Sequence, residues 1–76
     1  MDGQTRELIA IGASVCAHCQ PCVSYHVAKA RELGVSEDSI REAVAVGQAV
    51  ERGAGAAMRE YAAKVTGEGP AGAGRG

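Results

Sequence analysis

One apolar stripe constrains this chain more than any other feature. Ile40, Ala43, Val44, Gly47, Val50, Ala54, Ala57, Met58, Tyr61 and Val65 recur at helical spacing. Together they keep one face apolar for about seven turns. A helix of that length is long for a chain of 76 residues. Its start is the clearest local signal: Ser36 is a good cap, Glu37 and Asp38 fall in the positively polarised first turn, and Val35 and Ile40 are spaced for a hydrophobic staple. Gly53 and Gly55 leave two outcomes open, a bend or break in this helix or the close approach of another.

Two shorter helices precede it. Leu8, Ile9, Gly12, Val15 and Cys16 predict a first helix over about residues 5–17, free of proline and rich in good helix formers. Pro21 suits the first turn of a second, where its missing N–H goes unused. That helix runs over about 20–33 on Val23, Val27 and Ala30, with Gly34 available for the left-handed closing position. No internal repeat and no strand-like alternation is visible. The expectation is an all-α domain of about three helices over 5–66. The glycine-rich residues 67–76 bury too little to offset their ordering entropy and read as a mobile tail.

A domain of this size is marginal alone. It has no Trp, no Phe and only Tyr25 and Tyr61 as large aromatic side chains. Association with further copies through helix faces is the expectation. A formal charge of −1 provides no field to attract phosphate backbones, which argues against nucleic acid as a partner. No apolar run of about 18 residues spans a bilayer, and Met1-Asp2-Gly3-Gln4 lacks the basic and apolar regions of a secretory signal. The expected location is the cytoplasm, with no membrane partner. Cys16, Cys19 and Cys22 sit within seven residues and are odd in number, so they staple no long loop. In a reducing compartment such a cluster suggests redox catalysis or metal binding.

The dithiol Cys19-Gln20-Pro21-Cys22 opens the second helix. Unpaired N–H groups and the helix dipole there favour thiolate, the reactive form. His26 lies at i+4 from Cys22, on the same face, where its imidazole can take the Cys22 proton or pair with the sulfur. Cys19 is placed to close a disulfide with Cys22. The plainer reading is a pair of small buried side chains, since free cysteine is often buried. Pro21 between the cysteines and His26 after them favour chemistry. His26 alone would read as a histidine satisfied at a helix interface; its pairing with Cys22 reverses that.

Glu7 is the next candidate, because the second helix folds back along the first. It lies about 15 Å back from the bend and His26 about 9 Å beyond it. A long carboxylate, with or without a water, bridges that offset and would orient the imidazole and raise its basicity. From spacing alone, a solvated surface position for Glu7 is the stronger reading.

Glu7 followed by Cys19-Gln20-Pro21-Cys22-Val23-Ser24-Tyr25-His26 resembles the alkyl hydroperoxidase D and carboxymuconolactone decarboxylase-like family. Members of its peroxidase branch carry a glutamate twelve positions before Cys-x-x-Cys-x-x-x-His, and both spacings hold here. The similarity covers about residues 5–65 and includes the stretch from Ile40 through Gly47. The resemblance implies an all-α core assembling as trimers or hexamers. It also implies a dithiol that reduces hydroperoxides or exchanges electrons with a protein or lipoyl disulfide, with no tightly bound cofactor. Carried over by position, Cys22 is the peroxide-attacking thiolate, Cys19 the resolving thiol, His26 the base and Glu7 its partner. This raises Glu7 above the surface reading. The decarboxylase branch works without the cysteine pair, so the sequence leans away from lactone decarboxylation.

The chain departs from the family in three respects. Family enzymes often have a histidine directly before the second cysteine; here that position is Pro21, and His18 precedes Cys19 instead. Cys16 is a thiol the motif does not require, and a buried place on the first helix is its favoured reading. The extra helical half of longer members is missing, which would leave substrate shape to a subunit interface. Two other classes compete with the thiol peroxidase or disulfide reductase. Cys16, Cys19, Cys22 and His18, with His26 nearby, offer ligands for zinc or a thiophilic metal, although all come from one short stretch. The other class is a structural oligomeric module with incidental cysteines.

Overall fold

The computed structural model describes residues 1–67, which form three helices: α1 (Gly3–Cys16), α2 (Gln20–Glu32) and α3 (Glu37–Val65). The all-α expectation holds. Helix α1 starts earlier than its apolar spacing predicts because Asp2 caps it, its carboxylate accepting the Thr5 N–H at 2.7 Å. Helix α2 begins with Pro21 in its first turn. Ser36 caps α3 as expected, its hydroxyl accepting the Ser39 N–H at 3.1 Å, and Val35 and Ile40 are both buried beside it.

Helix α3 continues unbroken through Gly53 and Gly55, so the 29 residues run for about 44 Å. Neither glycine marks a close approach among the described residues: a Cβ on Gly53 would meet nothing within 4 Å, and one on Gly55 only the flexible Arg59 side chain. Close approach falls elsewhere on the stripe. A Cβ on Gly47 would land on the Gly12 carbonyl oxygen, and one on Gly12 would lie 3.3 Å from the Ala43 carbonyl oxygen. Glycines at 12 and 47 thus let α1 lie backbone to backbone against α3.

Helix α1 is the central element, packed against both α2 and α3, which touch each other little. Ile11, Ala30, Val35 and Ile40 form the core, with Leu8, Val27, Ala43 and Val44 packed around it. This core is small, and Ile11 is its only fully buried large side chain among the described residues. The rest of the α3 stripe finds little cover among the described residues: Val46, Val50, Met58, Tyr61 and Val65 are exposed, as is Ile9 on α1. No helix of the described residues is long and apolar enough to cross a membrane. The tail expected over 67–76 lies, beyond Gly67, outside the described residues.

Candidate functional site

The corner between α1 and α2 carries the dithiol, and its backbone explains how so tight a bend forms. The Cys19 N–H donates to the Ser14 carbonyl at 3.0 Å and the His18 N–H to that of Val15 at 3.1 Å. This is a Schellman closure, which satisfies the last carbonyls of α1 and puts one residue in the left-handed region. That residue is His18, with φ 60°. Cys19 follows in extended conformation as the residue capping α2, and its carbonyl accepts the first helical bond, from the Val23 N–H at 3.1 Å.

Cys19 and Cys22 are joined as a disulfide across 5.2 Å between Cα atoms. Both sulfurs belong to the first turn of α2, whose amides have no helical partners and whose dipole stabilises a thiolate. His26, one turn after Cys22, is held from the other helix: its Nδ1 donates to Glu7 Oε1 at 2.7 Å. Glu7 is buried, 8% exposed, so the surface reading that spacing favoured is overturned. The antiparallel return of α2 brings Glu7 directly to the imidazole without a water. With Nδ1 donating, Nε2 of a neutral ring is left as the proton acceptor. The Tyr25 ring packs edge-on to that imidazole, with centroids 5.0 Å apart.

A second imidazole–carboxylate pair stands at the same corner. His18 Nε2 donates to Glu51 Oε2 on α3 at 3.0 Å. This pair is more open, with side chains 69% and 39% exposed against 28% and 10% for His26 and Glu7. Sequence reasoning overlooked Glu51 altogether. The usable signal was the register of α1 on α3: Gly47 opposite Gly12 puts Glu51, one turn on, near the end of α1.

An open groove of about 550 Å³ lies over Cys19, lined also by Ser14, His18, Gln20 and Ser24. Cys16 faces elsewhere. It is a free, half-buried thiol lining the apolar groove between α1 and α3 with Leu8, Ala43 and Val50. Among the described residues no three His, Cys, Asp or Glu side chains converge to hold a metal ion. The ligand set Cys16, Cys19, Cys22 and His18 is therefore not assembled.

A three-helix chain with a disulfide at a helix start and a histidine–glutamate pair beside it is a small all-helical dithiol protein. It belongs to the carboxymuconolactone decarboxylase family, whose model matches residues 1–68. No curated protein and no solved structure matches the chain. Family membership and the cysteine pair fit a redox role.

Proposed function

We propose that the chain is a thiol-dependent oxidoreductase that reduces hydroperoxides, or exchanges electrons with a disulfide, through Cys19 and Cys22. The observation that carries this reading is the hydrogen bond between buried Glu7 and half-buried His26, one helical turn from the Cys19–Cys22 disulfide. Glu7 fixes the tautomer, and Nε2 of His26 takes the proton of the Cys22 thiol. The thiolate attacks the distal peroxide oxygen, and the O–O bond breaks. The alkoxide takes the proton from His26 and leaves as alcohol, while Cys22 becomes a sulfenic acid. The Cys19 thiol condenses with it, expelling water and forming the disulfide. Peroxide gains two electrons and the dithiol loses two. A dithiol donor, on a protein or a lipoyl group, returns them.

The exposed apolar residues of α3 support assembly with further copies, and the family resemblance makes trimers or hexamers the forms to test. The cytoplasm, which is reducing, is the compartment that suits this cycle. The decarboxylation in the family's name has no need of a cysteine pair, which is why it is not the activity proposed. Reduced protein mixed with an organic hydroperoxide and mapped by mass spectrometry should form the Cys19–Cys22 disulfide. His26→Ala should slow this by about 10²-fold or more, and Glu7→Gln should slow it in the same direction. Thiols that stay reduced, or variants that react as fast as wild type, would end the proposal and favour a structural module.

A further inference from the structure

The reductive half of the cycle needs an entry point for the donor. We infer that the groove over Cys19 is that entry, that a donor thiolate attacks Cys19 rather than Cys22, and that His18, held by Glu51, is the base that generates this thiolate. The inference rests on the oxidoreductase reading and divides its two half-reactions between two histidine–glutamate pairs.

Three observations carry it. The groove is lined by Cys19 and His18, with Ser14, Gln20 and Ser24 as polar neighbours, whereas Cys22 does not line it. His18 occupies the left-handed closing position of α1, with φ 60°, where glycine would be less strained. A side chain kept at such a position directly before Cys19 points to a use for the side chain. That side chain is also oriented: Glu51 accepts from Nε2 at 3.0 Å, which leaves Nδ1 of the neutral ring as the acceptor for a thiol proton.

The leaving group agrees. Exchange proceeds faster when the departing sulfur is a stabilised thiolate. Cys22 departs within the first turn of α2, one turn from His26, and takes up a proton there. The donor thiol gives its proton to His18 Nδ1, and its sulfur bonds to Cys19 Sγ as the Cys19–Cys22 bond breaks. The donor's second thiol, deprotonated in turn, attacks its own sulfur in the mixed disulfide and releases Cys19. The donor dithiol ends oxidised by two electrons and the protein dithiol reduced by two.

The experiment uses the full chain oxidised with diamide, which makes the disulfide without peroxide, so a chain inactive toward hydroperoxides still reports on this step. Addition of 2-mercaptoethanol, rapid alkylation and peptide mapping should place the mercaptoethanol on Cys19 and the alkyl label on Cys22. The reverse labelling overturns the proposal. Rates then separate base from scaffold. His18→Gly should slow reduction by dihydrolipoamide about tenfold or more beyond any effect on the thiols' oxidation by diamide. His18→Asn tolerates the left-handed backbone and keeps a polar side chain at the groove, yet cannot act as a base, and it should be as slow as His18→Gly. Recovery of the wild-type rate by His18→Asn, or equal slowing of both half-reactions by His18→Gly, would show a structural role and overturn the assignment.

Discussion

The two corners of this chain share one backbone solution and differ in what they put on it. At the α2–α3 corner the Val35 N–H donates to Ala30 and the Gly34 N–H to Arg31, the same pair of closing bonds seen at the α1–α2 corner. Gly34, with φ 81°, takes the left-handed position that His18 takes at the other. Everything around Gly34 consolidates the fold. Val35 is buried in the core, Ser36 caps the next helix, the Gln4 side chain donates to the Leu33 carbonyl at 2.7 Å, and Arg31 grips Glu37 through two bonds of 2.9 Å. Around His18 stand an exposed imidazole–carboxylate hydrogen bond, a disulfide and a groove. The closure set among core and capping contacts carries glycine, and the one beside the disulfide carries histidine in the same left-handed conformation.

The largest expected effect breaks the stabilising corner. A Cβ on Gly34 would meet only Gln4 Nε2, at 3.8 Å, an ordinary contact. Gly34→Ala therefore isolates the backbone cost, and denaturant unfolding should show a loss of about 1–2 kcal/mol. His18→Gly makes the opposite exchange at the other corner and should act more weakly. Relief of the left-handed strain is offset by the greater unfolded-state freedom of glycine, about 0.5–1 kcal/mol, and by loss of a mostly exposed imidazole–carboxylate contact, about 0–1 kcal/mol. The net change should lie within about 1 kcal/mol of zero. A loss as large as that of Gly34→Ala would mean that His18 is there for stability, and the contrast between the corners would fail.

Local signals in the sequence were enough for the helices and not for what joins them. Ser36, Pro21 and Gly34 act within a turn of their own position, so the bounds of α2 and α3 could be read closely. The α1 start was missed because Asp2, a cap, precedes the apolar spacing. Glu7 and His26 are separated by 19 positions and His18 and Glu51 by 33, and such pairs depend on helix register. Two glycines set that register on α3, Gly12 and Gly47, whereas Gly53 and Gly55, equally visible in the sequence, set nothing among the described residues. A left-handed histidine is equally hidden, since glycine is the residue that announces that conformation. The apolar stripe was legible along its length, yet the described residues cover only its first part. Periodicity reports that a face is apolar and is silent on what covers it.

The smallest expected effect sharpens the comparison through pH. The hydrogen bonds from Arg31 hold the Glu37 carboxyl below its ordinary range, with the charge of Arg31 adding to the effect. A carboxyl depressed in the folded state contributes stability that is complete above its unfolded value and is lost as pH falls through the folded one. The α2–α3 corner should therefore loosen on acidification below the ordinary carboxylate range, seen as faster exchange of the Gly34 and Val35 amides relative to Ile11 in the core. Both side chains of the pair lie open to solvent, so the effect should be small and should shrink further in high salt. Arg31→Ala should remove most of this acid dependence while leaving the closing bonds of Gly34 and Val35 in place. If acid loosens the corner equally in the variant, the Arg31–Glu37 pair is incidental, and glycine and the buried Val35 side chain are enough to hold the turn.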